Sequence, residues 1–293
     1  MATSIPEKPA ATVSADEADS LRAQIFQRLH PRTYLERFLT ENVRPDGRNF
    51  GEWRDVHVNV GSISTADGSA LVRMGNTTIV CGVKAEIAEP ELDSPDDGFL
   101  VPNLDLPAIC SPKFKPGPPS EEAQILSDKL NESLIASGLI SLSSLCIHPG
   151  RAVWTLYVDA TCINYDGNVF DAALLAMVTA LKNATLPVAS FDEESGRVTC
   201  SRKNRSSLQL QAARIPFSAS FGIVEASRPC VLSDPTSFEE PLLDTTLSVI
   251  TDARGELISV SELGVDGGTG EQSILAQCIP EAKKRRAQIQ KYL

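Results

Sequence analysis

The order in which strand-type and helix-type patterns follow one another constrains the fold of this chain most. In several short segments hydrophobic residues alternate with polar ones, as they do in half-buried strands. In other segments hydrophobic residues recur every three or four positions, as they do in helices that pack on one side. The order is strands, helix, strand, helix, strands, helix. It predicts an α/β (α+β) fold in which mixed sheets carry packed helices.

The boundaries of these elements can be predicted from capping and turn residues. Predicted strands cover residues 56–60, 70–74, 77–85, 151–165, 217–225, 230–233, 242–251 and 257–262. Predicted helices cover residues 14–29, 31–39, 120–138 and about 169–181, with a last helix after residue 270. Ser120 suits the N-cap of the third helix and Gly138 suits its end. Residues 88–119 are rich in proline and predict a long loop, a kind of segment that often has a function.

Two lysines flank an aromatic residue inside this loop, in the sequence Lys113-Phe114-Lys115. Lysines can contact the phosphates of single-stranded RNA, and an aromatic ring can stack on a base. The three residues are therefore candidates for RNA binding. The alternative interpretation is an ordinary loop that Phe114 anchors to the core.

The charge of the whole chain limits what kind of nucleic-acid binder it can be. There are 27 Lys and Arg against 38 Asp and Glu, which gives a net charge of −11. This excludes a free-standing protein that binds nucleic acid without regard to sequence. The basic run Lys283–Arg286 is interpreted as a solvated helix end, with a nucleic-acid patch or an import signal as the alternative.

Neither a metal nor a cofactor site is predicted. The seven cysteines and three histidines do not show the spacing of metal ligands. The glycine-rich segment 264–270 precedes a helix and could hold a phosphate, but it lacks the P-loop pattern, and a flexible connection is the alternative. No signal peptide and no membrane-spanning run is recognised, so we expect a protein that stays inside the cell.

Several motifs together resemble the RNase PH domains. These motifs are Arg44-Pro45-Asp46-Gly47-Arg48, the run Gly61 to Val72, and Gly75-Asn76-Thr77-Thr78. The later runs Pro102 to Pro107 and Gly117-Pro118-Pro119 are similar to the non-catalytic branch of this family, in the ring of the RNA exosome. The resemblance covers about residues 35–290. It implies the RNase PH fold, which is ribosomal protein S5 domain 2-like. It also implies two βαβ halves, at about 44–190 and 191–293, in a domain at 31–293. The capping pattern at Ser14 and Glu17 separately predicts a tail and helix over residues 1–30.

The resemblance also implies that this chain has lost a phosphate site. Active family members carry Asp-Gly-Gly-Thr-Arg-Thr-Ala where this chain has Asp166 to Ala172. Asn168, Val169, Phe170 and Asp171 supply neither the hydroxyl nor the guanidinium of that motif. A phosphate needs such donors, and a carboxylate repels it. Asp234, Glu239 and Glu240 follow in the chain, but their spacing does not match the catalytic acids of the family.

The function implied by the resemblance is that of a non-catalytic ring subunit, which supports 3′-to-5′ RNA processing and degradation and helps to guide RNA through the central channel. An active phosphate-dependent 3′-to-5′ exoribonuclease is the alternative, and a pure scaffold without RNA contact is a third. The implied partners are other RNase PH-like ring subunits, especially ribosomal RNA processing protein 46, cap subunits with S1 and KH domains, and RNA. We expect no membrane contact and no cofactor, and a location in the nucleus, nucleolus and cytoplasm.

Overall fold

A computed structural model describes residues 15–193, 196–225, 229–264 and 271–293. The chain divides into two compact units between Asn49 and Phe50. The first unit contains helices α1 (Ala15–Leu29) and α2 (Pro31–Thr40). The Tyr34 ring lies between those of Phe26 and Phe38, with centroids 6.3 and 4.9 Å away, and so joins the two helices. The domain boundaries implied by the resemblance stay a prediction.

In its described residues the second unit contains two larger sheets, a separate hairpin and three α-helices. Its strands are β1 (Val56–Val60), β2 (Gly68–Met74), β3 (Thr77–Ala88), β4 (Phe99–Asp105), β5 (Cys146–His148), β6 (Ala152–Asn164), β7 (Thr185–Asp192), β8 (Arg197–Ser207), β9 (Phe217–Glu225), β10 (Pro229–Ser233), β11 (Thr245–Thr251) and β12 (Leu257–Gly264). Its helices are α3 (Glu121–Ser137), α4 (Val169–Asn183) and α5 (Glu271–Ile289).

The strand pairing confirms the predicted mixed sheets. The first sheet has the order β1-β2-β3-β6-β4, and β5 also pairs with β6. Its pairs are antiparallel except for β4, which runs parallel to β6. The second sheet is antiparallel, with the order β10-β9-β11-β12. Strands β7 and β8 form a hairpin of their own.

Helix α4 is the centre of the core. Every residue from Val169 to Leu181 is buried, because the helix contacts β2, β3 and β6 of the first sheet and β9 of the second. Helix α5 packs on β9 and β11, where Cys278 and Ala282 join a cluster around Phe221. The start of α4 therefore lies deep in the protein and not on its surface.

The predicted loop over residues 88–119 is wrong at its centre, where β4 forms. Pro102 lies within this strand and pairs with Val158 of β6. Since β4 is an edge strand of its sheet, the missing N–H of a proline is tolerated there. The β7–β8 hairpin lies where the sequence predicts no element, because β8 is polar and almost entirely exposed.

The predicted limits of α3 are confirmed. The Ser120 hydroxyl accepts a hydrogen bond from the Ala123 N–H at 3.2 Å, and Gly138 ends the helix with a φ of 62°. None of the helices in the described part of the chain is long and apolar enough to span a membrane. The glycine-rich segment 264–270 lies outside the described residues from position 265 onward.

The basic run at the end of α5 is not simply a solvated helix end. The Arg285 side chain is buried, with its guanidinium 4.8 Å from the centre of the Trp53 ring. It also donates a hydrogen bond to the Arg54 carbonyl at 3.3 Å. The prediction is therefore wrong for Arg285, which attaches α5 to the chain just before β1.

Candidate functional site

The turn between β6 and α4 holds the four residues of the predicted degenerate phosphate site. Gly167 and Asn168 have positive φ angles of 77° and 51°. A segment that follows β10 lies directly against this turn. A Cβ atom on Gly167 would come within 2.5 Å of the Thr236 carbonyl carbon and 2.6 Å of the Ser237 nitrogen. Only glycine fits both this contact and this backbone conformation.

A buried ion pair holds the segment in place. The Arg54 guanidinium donates from Nε to Asp234 Oδ2 at 2.8 Å and from Nη2 to Asp234 Oδ1 at 2.7 Å. The same guanidinium donates to the carbonyls of Asp166 at 2.6 Å and Gly167 at 3.2 Å. Burial would raise the pKa of Asp234, but the hydrogen bonds and charge of Arg54 outweigh it and lower this pKa to about 2. Asp234 therefore fastens the turn as a carboxylate that is charged at neutral pH.

Asn168 and Asp171 continue this network into the core. The side-chain amide nitrogen of Asn168 donates to Asp234 at 2.8 Å and to Asp171 at 2.9 Å. Asp171 also accepts hydrogen bonds from the backbone N–H of Ser220 at 2.9 Å and from its hydroxyl at 2.8 Å. Its carboxylate is thus a buried acceptor that links α4 to β9, and it does not face solvent.

The two remaining residues of the turn are apolar and buried. Val169 and Phe170 are 3% and 5% exposed, and neither carries a group that could hold an anion. Phe170 instead packs against Lys129 of α3, whose Nζ lies 4.4 Å from the ring centre and donates to the Ser248 hydroxyl at 3.1 Å. Burial lowers the pKa of Lys129. An aromatic ring therefore occupies the position where the family motif has arginine.

A second carboxylate lies against the first turn of α4. Glu240 accepts a hydrogen bond from the Asn168 N–H at 2.7 Å and another from the Tyr165 hydroxyl at 2.5 Å. Burial raises the pKa of Glu240, against the lowering effect of these two hydrogen bonds. Burial and the Glu240 charge raise the pKa of Tyr165. The Glu240 carboxylate thus accepts a hydrogen bond from the N-cap residue of α4, at the end of the helix where the dipole favours negative charge.

A groove of about 670 Å³ lies between α3 and the second sheet. Of the residues described above, it is lined by Tyr165, Asn168, Val169, Phe170 and Glu240. Lys113, Glu122, Lys129 and Glu240 provide its charged groups together with Glu121 and Glu262. Its walls are mostly apolar, as in a ligand pocket, but its acids outnumber its lysines. In the described part of the chain no three His, Cys, Asp or Glu side chains come together as they would to hold a metal ion.

Of the three predicted RNA-binding residues, Lys113 lines this groove, and the three differ in environment. Phe114 is only 7% exposed and packs edge-on against Tyr165, with ring centroids 5.3 Å apart. The Phe114 ring thus anchors the loop in this conformation, and its stacking on a base stays a prediction. Lys113 forms an ion pair with Glu122 at 2.7 Å, and Lys115 is exposed. RNA contact by the two lysines stays a prediction.

The residues that complete the site could not be predicted from the spacing of residues in the sequence. Arg54 lies 180 positions before Asp234, so no local pattern connects them. Lys129 looks like any solvated residue of an amphipathic helix. The positive φ at Asn168 is the one feature with a local signal, because Asp-Gly-Asn is a typical turn sequence.

Comparisons with known proteins agree with this architecture. Residues 52–187 match the model of the 3′ exoribonuclease family, domain 1. The chain is 42% identical to the exosome complex component rrp43 of Schizosaccharomyces pombe, over 94% of this chain and 99% of the relative. The chain is a member of the RNase PH family. The exosome complex component Rrp42 of Pyrococcus furiosus is 32% identical to it, over 89% of this chain and 92% of that protein.

Solved structures support the same assignment. A chain of the Archaeoglobus fulgidus exosome, determined with RNA bound to the active site, superposes with a TM-score of 0.78 and 30% identity. The superposition covers 93% of this RNase PH family member and 99% of that chain. The predicted resemblance and the predicted fold class are therefore confirmed.

Proposed function

We propose that this RNase PH family member is a non-catalytic subunit of the RNA exosome core ring. In this role it supports 3′-to-5′ RNA processing and degradation and helps to guide RNA through the central channel. The similarity to exosome components over nearly the whole chain supports the ring, and the turn at the start of α4 supports the lack of catalysis. The single observation that carries the proposal is the replacement of phosphate-binding groups there by buried Val169, buried Phe170 and two carboxylates.

Phosphorolysis needs a phosphate ion held and oriented next to the RNA 3′ end. An anion in this position requires donors aimed at it, and each missing donor costs about 3 kcal/mol of transition-state stabilisation. Here two donors near the start of α4 are already bound within the protein. The Asn168 N–H donates to Glu240, and the Ser220 hydroxyl donates to Asp171. The alternative of an active exoribonuclease would need a second phosphate site elsewhere in the chain.

The proposed partners are the other RNase PH-like ring subunits, with ribosomal RNA processing protein 46 as the neighbour, and cap subunits with S1 and KH domains. Permanent interfaces of this kind bury roughly 2,000 Å² or more of largely apolar surface. The full chain alone should therefore self-associate or be poorly soluble. Co-expression with the neighbour should give a soluble complex. A stable monomer at micromolar concentration would contradict ring membership. The nucleus, nucleolus and cytoplasm remain the proposed locations.

Catalytic inactivity is tested with rings in which the active site of every other chain has been disabled. We expect no release of nucleoside diphosphates from single-stranded RNA in the presence of phosphate. The matched control is the ring with its other active sites intact. Release of nucleoside diphosphates from the disabled ring would show that this chain is an enzyme.

RNA guidance is tested by changing Lys113 and Lys115 to alanine in the assembled ring. Each phosphate contact on single-stranded RNA contributes roughly 0.7 to the slope of log affinity against log salt, so the slope should fall by about 1.4. The effect should not depend on RNA sequence, because phosphate contacts do not read bases. Changing the exposed Lys203 and Lys291 instead removes the same charge and should leave the slope unchanged. If the slope is unchanged when Lys113 and Lys115 are replaced, the two lysines do not contact RNA, and a pure scaffold is the function that remains.

A further inference from the structure

We propose that strand β8 is a docking surface for an acidic segment of a protein partner. This goes beyond the proposed function, because neither the turn before α4 nor Lys113 and Lys115 belong to the β7–β8 hairpin. Three features of β8 support it, namely its exposure, its run of basic residues and the bulge that interrupts it.

Strand β8 is exposed along almost its whole length. Apart from Val198 and Ser201, which are partly buried, its residues with a described side chain are all exposed. The strand pairs with β7 and with no other strand of the described residues, so its second edge is open. On the other side of the hairpin, β7 contacts β5, and the ring centroids of His148 and Phe191 lie 4.6 Å apart. A two-stranded hairpin has little stability of its own in water, so a partner on β8 would complete it.

The charge of this part of the chain differs from that of the rest. Residues 197–224 contain five Arg and Lys residues and no Asp or Glu, in a chain whose net charge is −11. Four of the five lie in β8, namely Arg197, Arg202, Lys203 and Arg205. An exposed surface with charges of one sign attracts partners of the opposite sign and repels others. A partner of β8 should therefore be negatively charged.

Two of these basic residues are available for a partner. Arg205 is not, because its Nε donates to the Thr185 hydroxyl at 3.0 Å and its Nη2 forms an ion pair with Asp67 at 2.5 Å. These contacts attach β8 to β7 and to the segment before β2. Arg197 and Lys203 are exposed, and neither forms an ion pair with another residue in the part of the chain that the structure describes.

A bulge sets Lys203 apart from the regular ladder of the hairpin. Residues 201–204 of β8 lie opposite the single residue Val188 of β7. The Asn204 N–H donates to the Ser201 hydroxyl at 3.2 Å within this bulge. Bulges redirect side chains, and a bulge with a lysine on an edge strand resists unspecific pairing with other strands. Recognition of the partner therefore depends on charge and not on strand pairing alone.

A protein segment fits this surface better than RNA does. Single-stranded RNA is held by cations together with aromatic rings on which its bases stack. Strand β8 contains no aromatic residue. Its open edge instead carries backbone N–H and C=O groups, which suit an extended peptide. These features together select an extended peptide segment that is rich in Asp and Glu.

The test uses the full chain, immobilised at low density on a sensor surface so that self-association does not interfere. The probe is a soluble peptide of alternating glutamate and threonine, whose binding is measured by surface plasmon resonance. The unchanged chain should bind this peptide, and binding should weaken as the salt concentration rises. Arg197→Glu combined with Lys203→Glu should weaken binding by at least about tenfold, because like charges then face each other. The matched control combines Arg254→Glu with Lys291→Glu, the same charge change at exposed positions outside the hairpin, and should leave binding nearly unchanged.

Each outcome decides the proposal. A loss of binding in the Arg197 and Lys203 variant that the control lacks supports it. Equal losses in both variants show only an effect of net charge and overturn it, as does the absence of binding by the unchanged chain. Tighter binding of an oligouridylate of the same charge, lost in the same variant, makes RNA the partner and also overturns it.

Hydrogen exchange of the unchanged chain decides the proposal if the Arg197 and Lys203 variant does not fold. The bound peptide should then slow exchange of the amides at residues 197–207 and not of those in α4. Exchange in β8 that the peptide leaves unchanged overturns the proposal. Phosphorolysis and ring assembly are measured separately, so the proposed function stands or falls on its own tests.

Discussion

The ion pair of Arg54 and Asp234 should behave as one energetic unit. Arg54 is 7% exposed and Asp234 is fully buried, and two hydrogen bonds of 2.7 and 2.8 Å join them. Arg54→Leu leaves the buried Asp234 carboxylate without its cation, and Asp234→Asn leaves the buried guanidinium with only the partly exposed Asp166 carboxylate, 3.6 Å from Nη1, as a counter-charge. Each change should lower the free energy of unfolding by about 3–5 kcal/mol.

The double variant should cost much less than the sum of the two single changes. With both charges gone, the main remaining loss is the hydrogen bond to the Asp166 carbonyl, because the Gly167 carbonyl still accepts from the Thr77 hydroxyl at 2.7 Å. An unpaired buried carbonyl costs about 1–3 kcal/mol. We therefore expect a coupling energy of at least about 3 kcal/mol between Arg54 and Asp234.

The assay is urea unfolding of the full chain at pH 7, at concentrations below the micromolar range in which we expect self-association, followed by tryptophan fluorescence. The chain has two tryptophans, and Trp53 directly precedes Arg54. The exposed pair of Lys113 and Glu122 provides the control cycle, with an expected coupling of under about 1 kcal/mol. If the losses at Arg54 and Asp234 simply add up, the two residues do not act as a buried pair and the reasoning is wrong.

Two further predictions concern the same turn. Because the pKa of Asp234 is lowered from 3.8 to about 2, it stabilises the fold by about 2 kcal/mol above pH 3.8. This contribution should be lost as the pH falls from 3.8 towards 2, and unfolding of Asp234→Asn between pH 2 and 7 should lack it. An identical pH dependence in both proteins would contradict this. Gly167→Ala should cost roughly 3 kcal/mol or more, against about 1 kcal/mol for Gly150→Ala, which has a similar φ but open space around it. Thermal unfolding compares the two, and equal losses would show that the contact with residues 235–237 is not tight.

The sequence predicted the central elements of the fold because their patterns are local. Helix α3 has its cap at Ser120, and β6 has its long β-branched run, so both could be predicted from neighbouring residues alone. Strand β4 could not, since its formation depends on pairing with β6 and its proline argues against a strand. Local propensity gives way to tertiary pairing in such segments.

The candidate site was predictable only in part for the same reason. The motif comparison located residues 168–171, and the structure brings them together in one turn. The use of Asp171 as a buried acceptor depends on Ser220, and the position of Glu240 depends on Tyr165. These contacts span 49 and 75 residues of chain. Residues so far apart in the sequence show no periodic pattern, so these contacts can be recognised only in the folded structure.

The position of α4 between the two sheets has a consequence for how this protein unfolds. Arg54 lies two residues before β1 of the first sheet and Asp234 directly follows β10 of the second, so their ion pair and the buried helix join the same two layers. Neither sheet can lose its packing without exposing the apolar surface of α4 to water, which penalises any state with one half melted. The two βαβ halves implied by the family are therefore expected to lose their structure together, in one cooperative transition. Slow hydrogen exchange at the amides of α4 should accordingly report on the stability of the whole unit and not on that of a single half.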